Sequence, residues 1–210
     1  MPPALRADLA DDAAFDELLP TGLQLKSSFH FTPIAVARYA AHLLAPAPGM
    51  SVLDVGAGVG KFCLAAALAL PGVQFTGAEW RPHLVCLARQ LAKKLGLSNV
   101  DFLAVDAFEL DWAHYDAFYF YNPFAEQLVD AELALDRTID LDEVNFVRHV
   151  TEVWQRLAYA RPGTRVVTYH GYGAPIPPGY ELMRADEIGS DRVELWIKQG
   201  VLASDIERSR

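Results

Sequence analysis

A chain of 210 residues holds one domain of ordinary size, or one domain with a short appendage. Hydrophobic residues make up 52% and charged residues 21%, which excludes bulk disorder and supplies a sizeable core. Asp plus Glu number 27 against 18 Lys plus Arg; the formal net charge of −9 lowers the expectation of nucleic-acid binding and suits a small or basic partner.

No apolar run has the length of a membrane span. The N-terminal segment carries acids where an export signal needs cations, so a cytoplasmic protein is expected. Cys63 and Cys86 fall on two separate helices and read as a reduced, buried pair of small side chains. Without nearby histidines they make no zinc site, and no metal is expected.

Residues 1–48 read as an acidic N-terminal helical arm and a leading helix. The stretch from Asp8 to Glu17 reads as a solvated face. At Phe31-Thr32-Pro33 the pattern turns helical, with Thr32 as the expected N-cap and Pro33 as the first helical residue. Pro46-Ala47-Pro48-Gly49 closes that helix, and residues 49–210 read as the main domain.

There the chain alternates. Met50 to Val55 is an apolar strand, Lys61 to Leu70 a helix stopped by Pro71-Gly72, and Val73 to Glu79 a second strand. Pro82 to Leu95 is a helix closed by Gly96. Val100 to Val105 and Ala117 to Tyr121 are strands three and four. Asp142 to Ala158 is a long helix with Val144, Val147, Val150, Val153, Trp154 and Leu157 expected on one side. Arg165 to His170 is the fifth strand. Tyr180 to Glu187 and Arg192 to Lys198, with no helix between them, read as a terminal hairpin. Alternation of this kind specifies an α/β fold with a mostly parallel sheet covered on both faces. Ligands are then expected outside the carboxyl ends of the strands.

The loop after the first strand reads VLDVGAGVGKF, from Val52 to Phe62. Gly56, Gly58 and Gly60 permit a tight turn and close approach of backbone N–H groups to a ligand. The helix from Lys61 offers its positive end to an anion. Dinucleotide binders prefer G-x-G-x-x-G, and Lys61 stands where their third glycine belongs. Asp54 is a carboxylate in an apolar strand, to be satisfied by a ligand ammonium or by the local backbone N–H groups. Glu79, about 20 residues past the glycines, ends the second strand where an acid can take both ribose hydroxyls.

This set resembles the class I S-adenosylmethionine-dependent methyltransferases, over roughly residues 30–200. The segment Val52–Phe62 looks like their first motif and Gly77-Ala78-Glu79-Trp80 like their second. Val105-Asp106-Ala107-Phe108 looks like their third and Tyr121-Asn122-Pro123-Phe124 like their fourth. The resemblance implies a Rossmann-like, seven-stranded, mostly parallel sheet with a C-terminal antiparallel hairpin. It implies S-adenosylmethionine as cofactor and S-adenosylhomocysteine as product. The implied cofactor contacts are Phe31 and Thr32 over the methionine part, with Asp54, Gly56, Ala57, Gly58, Gly60, Lys61 and Phe62 in the loop region. Glu79 would serve the ribose, Trp80, Asp106, Ala107 and Phe108 the adenine, and Asn122 the methyl end.

Asn122-Pro123-Phe124 is similar to the Asn-Pro-Pro-aromatic motif of amino-group methyltransferases, with one proline fewer. It also resembles a stretch of the disruptor-of-telomeric-silencing family of histone lysine methyltransferases. An amine or protein side-chain nitrogen is therefore the slightly favoured acceptor, with Asn122 and Tyr121 orienting it and His170 as a proton acceptor at the end of strand five. The acceptor itself, a small molecule or a basic protein, stays open, and nucleic acid is disfavoured. Two other readings remain open on sequence: an NAD(P)-dependent oxidoreductase on a related fold, and a non-enzymatic cofactor-binding protein.

Overall fold

A computed structural model describes residues 9–128, 134–136, 138 and 142–200. Asp8, the first of the expected acids of the arm, lies outside the described residues. Three short helices, α1 (Asp12–Asp16), α2 (Thr21–Gln24) and α3 (Ser27–His30), form the arm, and α4 (Ile34–Leu44) follows. Then come β1 (Ser51–Val55), α5 (Lys61–Ala69), β2 (Gln74–Glu79), α6 (Pro82–Leu95), β3 (Val100–Ala104), β4 (Ala117–Tyr121), α7 (Glu143–Ala158), β5 (Arg165–Tyr169), β6 (Tyr180–Ile188) and β7 (Asp191–Lys198).

The strands make one sheet in the order β3-β2-β1-β4-β5-β7-β6. β1 pairs parallel with both β2 and β4, while β7 runs antiparallel between β5 and β6. The strand order reverses between β1 and β4, so their carboxyl ends frame a crevice. One face of the sheet is covered by α4, α5, α6 and the arm, whose Leu9, Phe15 and Leu19 are buried in the same cluster as Phe62 and Phe75. The other face is covered by α7 together with Trp112 and Tyr172.

Three expectations need correction. Thr32 does not cap α4. Its hydroxyl lies 3.2 Å from the buried Tyr119 hydroxyl, and the Ile34 N–H donates instead to Asp12 Oδ1 at 2.9 Å. Pro33 is the N-cap residue, with no side-chain hydrogen bond. On α7 the buried positions are His149, Val150, Val153 and Leu157, whereas Val144 and Val147 are 71% and 57% exposed and Trp154 is also exposed. At 100° per residue the arc through 150, 153 and 157 leaves 147 and 154 on its flank and 144 on the opposite side. Cys63 is buried, but Cys86 is exposed on α6, and both are free.

Candidate functional site

The crevice holds a cleft of about 340 Å³ at the carboxyl ends of β1, β2, β4 and β5. Its floor is Gly56 and Gly58, one wall is Glu79 and Arg81, another is Tyr121, Asn122 and His170, and the arm closes it with Ser28 to Phe31. A narrower slot of about 70 Å³ adjoins it, lined by Trp80, Asp106, Ala107, Phe108, Phe124, Gln127 and His149. Gly56, Glu79, Arg81, Pro123 and Glu126 border both spaces. A larger hollow of about 470 Å³, at the opposite ends of β4 and β5, contains none of the motif residues.

The glycine loop owes its shape to crowding as well as to dihedral angles. Gly60 has φ +78°, and a Cβ there would lie 2.4 Å from the Phe102 ring. A Cβ on Gly58 would meet the Phe31 ring at 3.2 Å, which is how the arm reaches the loop. The N–H groups of Gly56 and Ala57 both donate to Ala78 O, and that of Gly58 donates to Glu79 Oε2 at 2.9 Å. The Arg81 N–H donates to the other Glu79 oxygen, also at 2.9 Å. Glu79 is buried, with each side-chain oxygen accepting from a backbone N–H.

Asp54 has no such support. It is buried, its partner is the Cys63 thiol at 3.5 Å, and the N–H groups of Gly56, Ala57, Gly58 and Gly60 are committed elsewhere. Burial, opposed by the Cys63 contact and reinforced by the charge of Glu79, pushes its pKa up to about 7.

The acceptor end combines two residues with left-handed backbones. Asn122 (φ 42°) and His170 (φ 59°) are the two non-glycine residues with positive φ among the described residues. They terminate the neighbouring strands β4 and β5, and the Asn122 N–H donates to Gly171 O at 2.9 Å. Such conformations cost about 1–3 kcal/mol each and persist where surrounding structure enforces them, commonly at functional sites. His170 Nδ1 lies 2.8 Å from Asp191 Oδ2, and its Nε2 lies 3.1 Å from the Ser190 hydroxyl. Tyr121 stacks on Tyr169, its hydroxyl donates to Phe29 O at 3.4 Å, and burial raises its pKa.

A family profile described as a methyltransferase domain matches residues 46–140. Among solved structures, an RNA methyltransferase from Salinibacter ruber in complex with S-adenosyl-L-homocysteine is 24% identical, with a TM-score of 0.56. That match covers 83% of this chain and 97% of the other. TrmN from Thermus thermophilus is 26% identical with a TM-score of 0.59, over 80% of this chain and 49% of that one, so the chain spans about half of TrmN. The mitomycin 7-O-methyltransferase MmcR is 17% identical with a TM-score of 0.54, over 79% and 53% of the two chains. No curated protein matches. Residues 46–140 thus match a methyltransferase domain, and the sheet has the Rossmann-like class I methyltransferase fold.

The cofactor of this methyltransferase is S-adenosylmethionine, and the cleft fits it. Cleft and slot together fall in the volume range of small-molecule sites. The carboxylate of Glu79 stands between them, and the buried Asp54 lacks a cation. Of the residues expected at the cofactor, Phe31, Gly56, Gly58, Glu79, Trp80, Asp106, Ala107, Phe108 and Asn122 line one of the two spaces. Asp54, Ala57 and Gly60 stand behind the loop surface, outside both linings.

Lys61, Phe62 and Thr32 face elsewhere. Lys61 is 3% exposed and turns to the arm, 2.8 Å from Asp12 and 3.2 Å from Asp16, with Ser27 Oγ at 3.0 Å. Phe62 stacks on Tyr119 at 3.8 Å in the core, and Thr32 bonds that same tyrosine. The acids of the arm, expected to be solvated, thus include the two that fasten it to the glycine loop.

Sequence reasoning missed Arg81 and the ion pairs that tie it to the turn after β4. Arg81 is buried and bridges Glu126 at 2.7 Å, Asp136 at 3.2 Å and Glu79 at 3.6 Å. Lys26 of the arm donates to Leu135 O at 2.9 Å, and Leu135 borders the cleft. The weak available signal was an arginine two positions after the ribose acid, and nothing local identified its partners. Among the described residues no helix is long and apolar enough to cross a membrane, and no cluster of side chains could hold a metal ion.

Proposed function

We propose that the methyltransferase moves a methyl group to a nitrogen acceptor, an amine of a small molecule or of a basic protein side chain, at the mouth formed by Tyr121, Asn122 and His170. The observation that carries this reading is the pairing of Asn122 and His170, the two strained strand ends, on one wall of the cleft. Bound S-adenosylmethionine supplies an electrophilic methyl on a good leaving group. The chain's task is then to orient the nucleophile, exclude water and receive a proton.

In this reading Glu79 takes the ribose hydroxyls, and the slot between Trp80 and Phe108 takes the adenine, with Asp106 at its edge. The Asp106 carboxylate already accepts from the Phe108 N–H at 3.0 Å, which fixes its direction. Asp54, left without a cation, suits the amino group of the methionine part. The exposed Asn122 offers a side-chain oxygen to an acceptor N–H. His170 takes the proton, its Nδ1 held by Asp191 so that Nε2 faces Ser190 and the cleft. Residues 1–48 act as a cap on the domain formed by 49–210, through Ser28 to Phe31. The net charge of −9 supports a small or basic acceptor over a phosphate backbone.

The test is transfer of labelled methyl from S-adenosylmethionine into fractionated lysate by the wild type and by Asn122→Ala. Label in amine-containing small molecules or protein, lost in the variant, is the expected result. Label in nucleic acid would overturn the acceptor assignment.

A further inference from the structure

The slot beside Glu79 contains a polar atom without a partner. Gln127, in the turn after β4, presents its side-chain amide to His149 on α7, with 2.8 Å between the nearest amide atom and His149 Nδ1. The other amide heteroatom is buried and makes no hydrogen bond. Buried polar atoms left unpaired are uncommon and call for an explanation, a missing ligand among them. Both residues line the slot, whose walls are the rings of Trp80, Phe108 and Phe124. His149 packs against all three rings, at centroid distances of 5.9, 5.6 and 5.1 Å. Its own position is therefore fixed.

The chemistry of this chain of contacts says which amide atom is free. Arg148 Nη2 lies 3.0 Å from His149 Nε2. An arginine only donates, so Nε2 accepts, and in a neutral imidazole Nδ1 must carry the proton. Burial, with Arg148 adding to it and Asp106 opposing, holds the His149 pKa below its ordinary value, so the ring is neutral. An Nδ1–H needs an acceptor, and of the two amide atoms only the oxygen is one. Amide orientation is set by such networks. The atom left unpaired is then the Gln127 NH₂, a donor.

We propose that Gln127 donates its side-chain NH₂ to a ring nitrogen of the cofactor's purine, with His149 as the positioning residue that holds the amide in this orientation. This inference rests on the reading of the slot as the adenine site. It assigns base selection to the turn after β4 and to α7, in addition to the edge of β3. A side chain that reads a ring nitrogen discriminates by leaving a buried donor unpaired when that nitrogen is replaced.

The experiment is calorimetric titration of S-adenosylhomocysteine and of its 1-deaza, 3-deaza and 7-deaza analogues into the full chain. Proteins to compare are the wild type, Gln127→Ala, the nearly isosteric Gln127→Met, and His149→Phe, which keeps a ring in the wall. One deaza analogue is expected to bind the wild type about tenfold more weakly than the parent. That gap should close in both Gln127 variants and narrow in His149→Phe. Equal affinity of all three analogues for the wild type, or a gap that survives in Gln127→Met, would overturn the proposal. A fourth ligand, S-inosylhomocysteine, carries the 6-oxo purine; loss of affinity with that ligand alone would show the amide oxygen facing the base and overturn the donor assignment. If S-adenosylhomocysteine itself fails to bind the wild type, the reading of the cleft falls, and this inference with it.

Discussion

The Gly58 N–H donates to Glu79 Oε2 over 2.9 Å, so the loop after β1 and the carboxylate that ends β2 form one hydrogen-bonded unit. Removing the carboxylate costs a contact to the ligand and also frees the loop amide. Glu79→Ala should weaken S-adenosylhomocysteine binding by roughly 10- to 100-fold, with a small drop in thermal midpoint. Unchanged affinity in a calorimetric titration would remove Glu79 from the ribose site.

Asp54 makes the ligand-free protein pH-sensitive. Its folded pKa of about 7 stands above the ordinary aspartate value of 3.8. Its contribution to stability is therefore fully present below the unfolded pKa and is lost as pH rises through about 7, by up to a few kcal/mol. Thermal midpoints should fall between pH 5 and 8 in the wild type, and the fall should flatten in Asp54→Asn. With the cofactor's ammonium beside it, the carboxyl ionises, so affinity should weaken by as much as tenfold per unit as pH drops below about 7. A pH-independent affinity would argue against that contact.

The Lys61 side chain fastens the arm to the helix after the glycine loop. Lys61→Met leaves Asp16 and Ser27 without their buried cation, and removing one partner of a buried pair costs about 3–5 kcal/mol. Asp12, half exposed, should matter less. A large loss of midpoint by differential scanning fluorimetry is expected, together with faster proteolysis within the arm. A variant as stable as the wild type would contradict this role.

Asp191 should act on activity through His170. In Asp191→Ala the imidazole loses the acceptor that fixes its tautomer, and turnover should fall by about 10²-fold with KM for the cofactor unchanged. A loss of turnover matched by an equal loss of stability would mark Asp191 as merely structural.

The local sequence signals carried far along the sheet. Pro82 and Gly96 bound α6 as expected, the latter in the left-handed conformation at its C-terminus. The glycine loop and Glu79 sit at the strand ends where ligands bind in such folds. What escaped was set by partners distant in sequence. Thr32 reads as a cap until Tyr119 claims its hydroxyl and Asp12, 22 residues before Ile34, takes the helix N–H. Lys61 reads as a ligand contact until the arm folds back on it. Arg81, Gln127 and His149 line one slot although they come from the end of β2, the turn after β4 and α7, far apart in sequence. The valine stripe on α7 misled because Val147 and Trp154 lie on the flank of the buried arc and Val144 on the opposite side, and all three are exposed.

The most direct measurement is single-turnover transfer of labelled methyl to lysate fractions, run in parallel with S-adenosylhomocysteine titration of the same Asn122→Ala protein. The expected pattern is label on amine-bearing small molecules or basic protein in the wild type. In the variant, transfer should be lost while cofactor affinity stays within a few-fold. Label in nucleic acid, or full transfer by Asn122→Ala, would contradict the account.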